Sequence, residues 1–219
     1  MPIRKSPLLE GKTYHILSKS IAEFVIYRNR REYERMVSVF EYYREDSQPL
    51  KFSAFLKIKN KAEFLKRHFK NKNASVKIIA YCLMPTHIHL ILKQLKPNGI
   101  SIFMQRISSG YSHYFNIKTK RRGPLWESRF KNILVETDEY LLHLTRYLHL
   151  NPTTVYLVKK PEDWEFSSYK EFLGKVNKEK KVCSYSDLLE ITPKNYKKFV
   201  NSRISYQKKL AKIKKLFLE

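Results

Sequence analysis

The chain has 219 residues, enough for one catalytic domain with appended segments and too few for two large independent domains. Its 44 Lys and Arg against 20 Asp and Glu give a formal net charge of +24, which predicts a polyanionic partner. Two cysteines, Cys82 and Cys183, are too few for a disulfide framework or a cysteine-rich zinc site. No stretch approaches the roughly 20 apolar residues that a membrane-spanning helix needs. We therefore expect a cytoplasmic protein without a membrane partner.

Strands and helices are intermixed along most of the chain. Residues 13–27 predict a strand followed by an extended stretch or loop, and the apolar spacing over 30–45 predicts a helix. The best β-hairpin has runs at 76–83 and 87–93, joined by a turn that contains Pro85. The other predicted elements are a helix at 61–70, a helix at 98–117, a strand at 131–137 and a helix at 138–150. This order predicts an α+β fold in which helices cover one face of an antiparallel sheet.

Two histidines lie two residues apart on the second run of the hairpin. Strand alternation sends His87 and His89 to one face, while Ile88 between them points into the core. Two imidazoles on one face can share a metal ion, and two polar rings among Ile, Leu and Ala need partners when they are buried. A His-x-His pair is also common by chance, so the residues alone leave a metal site and two packed histidines as alternatives.

The helix at 138–150 carries a second candidate group. Tyr147 and Asn151 are four apart and share one side if the helix persists that far, although Pro152 disfavours the helical conformation at the residue before it. Tyr147 lies at the edge of an apolar stripe, where a phenol can pack and still reach a substrate. The same reasoning does not separate it from three other tyrosines, Tyr111, Tyr114 and Tyr140.

Residues 118–131 combine six Lys or Arg with a Gly-Pro turn and two aromatic side chains. Positive charge beside aromatic rings suits single-stranded nucleic acid, whose unpaired bases can stack. A core role for Trp126 is the alternative for that residue. The predicted DNA-binding residues are Lys118, Lys120, Arg121, Arg122, Trp126, Arg129 and Lys131.

The composition shifts near residue 174. A charged linker, GKVNKEKK, precedes a short predicted helix, and the stretch from Lys194 to Lys215 has nine Lys or Arg and no acid. We therefore predict a catalytic domain over 1–174 and a basic, helical C-terminal extension over 175–219. Charge alone fits a solvated helix as well as a nucleic-acid contact.

Four segments follow one another along the chain: YCLMPTHIHLILK, GPLWESRFKN, YLLHLTRYLHLNPT and DWEFSSYKEFLG. In this order and spacing they resemble the REP-associated tyrosine transposases, within the insertion-sequence-200-like family of single-tyrosine HUH transposases. The segment YHILSKSIAEFVIY is similar to that family's first strand and following loop, so the resemblance covers about residues 13–174. It implies a ferredoxin-like domain with the two histidines on a central strand and the tyrosine on a helix beside it.

The resemblance also implies roles for four residues. His87 and His89 would hold Mg²⁺ or Mn²⁺, Tyr147 would be the nucleophile, and Asn151 would complete the metal site where relatives carry a Gln. The implied enzyme is a metal-dependent endonuclease and strand transferase that cleaves and rejoins single-stranded DNA through a 5′-phosphotyrosine intermediate.

Single-stranded DNA hairpins would be its partners, and a homodimer is one arrangement that the sequence leaves open. Replication initiators and relaxases, which use similar chemistry, typically have larger chains. The alternative from a different class is a non-catalytic DNA- or RNA-binding protein derived from such an enzyme.

Overall fold

A computed structural model describes residues 7–69, 73–127 and 129–216 of the chain. Its strands are β1 (Thr13–Lys19), β2 (Val76–Met84), β3 (His87–Gln94) and β4 (Lys131–Val135). Its helices are α1 (Arg30–Tyr43), α2 (Phe52–Phe55), α3 (Lys61–His68), α4 (Gly99–Thr119), α5 (Asp138–Thr154), α6 (Tyr169–Phe172), α7 (Pro193–Asn201) and α8 (Ile204–Leu216). None of the helices in these ranges has the length and apolar character that crossing a membrane requires.

The four strands form one antiparallel sheet in the order β2-β3-β1-β4. The hairpin β2-β3 therefore lies at one side, with β1 and β3 as the central strands. The connectivity β1-α1-β2-β3-α4-β4 is that of a ferredoxin-like fold, which confirms the predicted α+β class with an antiparallel sheet. The end of the predicted helix at residue 70 and the end of the predicted extension, 217–219, lie outside the described residues.

Helices α1 and α4 pack on one face of the sheet. Alternate strand residues such as Ile16 and Leu90 meet Phe40 of α1 and Phe103 of α4 in a continuous buried cluster. This is the helix-covered face that the sequence predicts. Ile88 belongs to the same cluster, so its flanking histidines point to the opposite face.

The opposite face carries a second helical layer that the sequence analysis does not predict. Strand β2 is buried along almost its whole length, because its apolar residues occur at consecutive rather than alternate positions. Cys82 and Ile91 pack on this side against Leu148 of α5 and Tyr196 of α7. Helix α7, within the basic C-terminal segment, thus contributes to the core beside α5.

Helix α5 continues through Pro152 and ends at Thr154, so the prediction that it ends at residue 150 is wrong. Proline removes one backbone donor and crowds the carbonyl four residues earlier, which costs most in a helix interior. Here Pro152 is in the last turn and is itself buried, so packing holds the helical conformation. At the other end, the side chain of Thr137 accepts a hydrogen bond from the backbone N–H of Tyr140 and begins the helix.

A buried hydrogen-bond network fixes α5 to its surroundings. His149 is fully buried, with Nδ1 2.7 Å from the Tyr196 hydroxyl and Nε2 2.8 Å from the Ser168 hydroxyl. The Ser168 hydroxyl is also 3.2 Å from the backbone carbonyl of Tyr81 on β2. The network joins α5, α7 and β2, and so fixes the height of α5 above the sheet.

Candidate active site

The two histidines of the hairpin begin β3, directly after the turn that contains Pro85 and Thr86. His87 is partly buried and the side chain of His89 is 5% exposed. Their ring centroids are 4.9 Å apart, with the ring planes 76° from parallel. The strand alternation that the sequence predicts therefore brings both imidazoles together on one face.

Each of these rings has its Nδ1 atom engaged by a neighbour. The Nδ1 of His87 is 3.0 Å from the hydroxyl oxygen of Thr86, and the Nδ1 of His89 is 3.1 Å from the Nε2 of His15. These contacts leave Nε2 as the ring nitrogen available to an outside ligand on both histidines. A metal-binding histidine usually has its second nitrogen fixed in this way.

The surroundings keep both imidazoles in the neutral form that can bind a metal. Burial, with a smaller contribution from the nearby Lys19 ammonium, lowers the pKa of His87 to about 4. Burial, together with the neighbouring His87 and His15, lowers the pKa of His89 well below its ordinary range. Neither ring has to lose a proton near neutral pH before its lone pair can be used.

Tyr147 faces this pair from α5. Its ring centroid is 6.2 Å from that of His89 and the two ring planes are almost perpendicular, at 84°. The side chain is 42% exposed, so one side is packed while the other is open to solvent. Burial of the packed part raises the pKa of the Tyr147 phenol, so forming the phenolate requires nearby positive charge.

Asn151 follows one turn later on the same side of α5 as Tyr147. Its side chain is buried, and among the described residues the amide nitrogen Nδ2 has no hydrogen-bond partner. Rotation of an amide exchanges its nitrogen and oxygen, so the oxygen can occupy this unpaired position instead. A cation at that point would satisfy the oxygen.

Two imidazoles and one amide oxygen form a donor set that fits Mn²⁺ better than Mg²⁺, because Mg²⁺ prefers oxygen ligands. In the described part of the chain, no third His, Cys, Asp or Glu completes a metal-binding group with the two histidines. The remaining ligands would therefore be oxygens from Asn151, water or a phosphate.

The positively charged side chains of the predicted DNA-binding loop differ in their surroundings. The ammonium of Lys118 is 2.7 Å from a carboxylate oxygen of the buried Glu32. Arg121 donates to the backbone carbonyl of Pro124 and lies 4.9 Å over the ring of Phe24. Both side chains therefore hold the loop together. Four further positively charged residues of the loop are exposed to solvent: Lys120, Arg122, Arg129 and Lys131.

Trp126 is buried in the first core cluster, and its indole N–H donates to the backbone carbonyl of Ser108 on α4. Of the two alternatives for Trp126, a core residue or a platform for a base, the structure shows the core residue. A stacking platform for a base would need an exposed ring face, and in this structure the side chain of Trp126 is 8% exposed.

Two residues near the histidines were not identified from the sequence. His15 on β1 contacts His89, and Lys19 is directly opposite His87 in the β1-β3 register. Leu17 of β1 is directly opposite His89 on β3 and directly opposite Lys131 on β4, so Lys131 lies on the same face of the sheet as the two histidines. The alternation of TYHILSK indicates that His15 and Lys19 share a face, but only the register of β1 against β3 shows which residues they meet.

The chain is similar to known transposases in sequence and in fold. Residues 55–151 match the family model described as transposase IS200 like, a range that contains His87, His89, Tyr147 and Asn151. A putative REP-associated tyrosine transposase of Haemophilus influenzae is 26% identical over an alignment of 102 residues, and the match covers 42% of this chain. The chain spans 57% of the length of that relative.

The fold is also similar to that of a solved structure, described as a REP-associated tyrosine transposase bound to a REP hairpin. The TM-score is 0.53, and the match covers 87% of this chain and 99% of the other. The sequence identity is 17%, so this likeness concerns the fold alone.

Proposed function

Because residues 55–151 match the family model of IS200-like transposases, we propose that this protein cleaves and rejoins single-stranded DNA at hairpin-forming sites through a 5′-phosphotyrosine intermediate. The observation that carries the proposal is the packing of Tyr147 against His89, with ring centroids 6.2 Å apart. A candidate nucleophile and a candidate cation site are thus neighbours, as metal-assisted phosphoryl transfer requires.

In the proposed reaction the Tyr147 oxygen attacks the scissile phosphorus in line. The new bond joins the phenol oxygen to phosphorus, and the bond between phosphorus and the 3′-oxygen breaks. The phenol loses its proton and the departing 3′-oxygen gains one, so the products are a 5′-phosphotyrosine and a free 3′-hydroxyl. Because the phosphodiester energy is conserved in this link, a 3′-hydroxyl can reverse the step and join another strand.

Other residues of the chain would bind the cation and the DNA phosphates. His87 and His89, with Asn151, would hold Mn²⁺ or Mg²⁺, which supplies positive charge beside a non-bridging phosphate oxygen. The nearby Lys19, whose charge lowers the pKa of His87, adds a positive group where the phosphate would approach. The exposed Lys and Arg residues of the loop at 118–131 would bind the flanking phosphates.

Hairpin recognition is part of the proposal and is supported by two features. The net charge of +24 suits a phosphate backbone, and the fold resembles that of a protein described as bound to a REP hairpin. The contact of Tyr147 with His89 within one chain supports a site formed by a single subunit.

The test is a strand-cleavage assay with the full-length protein and labelled single-stranded oligonucleotides that contain hairpins from the DNA flanking its own gene. We expect site-specific cleavage with Mn²⁺ and none in EDTA. Loss of cleavage in His87→Ala with hairpin binding retained would support the assigned metal site. Tight, specific binding by the wild-type protein without cleavage in either Mn²⁺ or Mg²⁺ would instead identify a non-catalytic nucleic-acid-binding protein.

A further inference from the structure

His15 is a buried polar residue for which the proposed reaction has no role. It lies on the central strand β1, directly opposite Ile91, and its side chain is 9% exposed. Placing an imidazole beside an apolar residue costs free energy unless its nitrogens are hydrogen-bonded. The Nε2 atom of His15 is 3.1 Å from the Nδ1 atom of His89.

The geometry of this contact is that of an in-plane hydrogen bond between two rings. The ring planes of His15 and His89 are 9° from parallel, and the centroids are 5.4 Å apart. An N–H in the plane of one ring can therefore meet the in-plane lone pair of the other. Between two neutral imidazoles one ring must donate and the other accept.

The direction of this bond decides which nitrogen of His89 can bind a cation. If His15 donates, the proton of His89 is on Nε2, and that nitrogen has no lone pair in the ring plane. If His89 donates from Nδ1, its Nε2 keeps the lone pair. Only the second arrangement prepares His89 as a metal ligand.

We propose that His15 is a positioning residue, which accepts a hydrogen bond from the Nδ1–H of His89 and so holds the Nε2 lone pair of His89 ready for a divalent cation. This inference rests on the proposed function, because it assigns His15 to the cation site of that function. The same division of nitrogens occurs on His87, whose Nδ1 contacts the Thr86 hydroxyl at 3.0 Å. A histidine ligand commonly depends on such a second contact for its tautomer and orientation.

The first test needs no metal. In EDTA-treated full-length protein labelled with ¹⁵N-histidine, NMR of the ring nitrogens reports which atom of His89 carries the proton. We expect the Nδ1–H form in the wild type. We expect that form to be lost in His15→Leu and retained in His15→Gln, whose side-chain oxygen can accept the bond. A wild-type His89 protonated on Nε2 would overturn the inference, whether or not any variant folds.

The second test measures Mn²⁺ affinity by the EPR signal of the free ion. We expect His15→Leu to weaken binding by about 10- to 100-fold, the usual effect of losing a group that orients a metal ligand, and His15→Gln to recover most of the affinity. The matched control is Leu17→Val, at the next position on the same face of β1 and opposite His89. It alters packing without removing a hydrogen bond and should leave the affinity unchanged.

The outcomes separate this inference from the proposed function. If the wild type does not bind Mn²⁺, the metal-assisted reaction fails, while the NMR result still decides the role of His15 in setting the tautomer. If the wild type binds Mn²⁺ and folded His15→Leu binds it equally well, the proposed function stands and the positioning role of His15 is wrong.

Discussion

The rings of His89 and Tyr147 meet edge to face between β3 and α5, with their centroids 6.2 Å apart. His89 is on the hairpin that the sequence identifies most clearly, and Tyr147 is on a helix held at a fixed height by the buried His149 network. A strand and a helix, each rigid, therefore bring the two groups together. Sites built on such elements keep their geometry better than sites on loops.

The two histidines of β3 should be required for cation binding. We expect His87→Ala or His89→Ala to weaken Mn²⁺ binding by more than about 100-fold, because losing only a supporting contact already costs 10- to 100-fold. Isothermal titration calorimetry measures the affinity. The control is His113→Ala, an exposed histidine on α4, which should bind like the wild type. Equal weakening in all three variants would contradict the assignment.

The effect of replacing Asn151 by aspartate on the free energy of unfolding should depend on Mn²⁺. In EDTA, Asn151→Asp places a carboxylate at a buried position and should lower the free energy of unfolding by about 1–3 kcal/mol. Mn²⁺ should restore the loss, because the new charge adds to the donor set of the two histidines. Thermal unfolding with and without Mn²⁺ measures both effects. An unfolding midpoint of Asn151→Asp that does not change with Mn²⁺ would remove Asn151 from the site.

The exposed Lys and Arg side chains of the loop at 118–131 should contribute to DNA affinity through phosphate contacts. We expect Lys120→Gln and Arg122→Gln each to reduce the steepness of log affinity against log salt concentration by about 0.7, the value for one contact to a single strand. Fluorescence anisotropy with a labelled hairpin over a salt series gives the slope. The matched control is Lys59→Gln, exposed before α3. A slope unchanged in both loop variants would place the DNA elsewhere.

His149 should make the protein less stable in acid. Burial lowers its pKa from 6.5 to about 3, so below its ordinary pKa the unfolded chain binds a proton that the folded chain excludes. Its contribution to stability is therefore intact above about pH 6.5 and declines as the pH falls toward the folded pKa. At about pH 5 the loss from this group is roughly 2 kcal/mol.

The measurement is urea unfolding of the wild type and His149→Gln between about pH 7 and pH 5. The variant should lose less stability over this range than the wild type. Glu41 acts in the opposite sense, since burial raises the pKa of its carboxyl to about 7, so variant and parent are compared at each pH. Parallel stability curves would show that the His149 ring does not titrate as described.

The sequence predicts the elements of the site better than their contacts. The hairpin and the shared face of His87 and His89 follow from strand alternation, and the one-turn spacing of Tyr147 and Asn151 follows from helical periodicity. The role of His15 could not be predicted in this way, because its partner is 74 residues away and the pairing depends on the register of β1 against β3. Register is a property of the assembled sheet.

The C-terminal segment shows a second limit. Its nine Lys and Arg between Lys194 and Lys215 indicate a solvated or DNA-binding helix when read as charge. Tyr196 and Val200 lie one turn apart among those charges, and both are fully buried against α5. These two residues are buried because α7 packs against α5, and a count of charges does not show which helix α7 packs against. The division of the chain at residue 174 stays a prediction.

The most direct measurement of the central claim is mass spectrometry of the protein after reaction with a hairpin oligonucleotide in Mn²⁺. We expect a covalent DNA adduct on the peptide that contains Tyr147, absent in EDTA and absent in Tyr147→Phe. Tyr140→Phe, two turns earlier on α5 and similarly exposed, should form the adduct normally. An adduct on another tyrosine, or cleavage by Tyr147→Phe at the wild-type rate, would contradict the account.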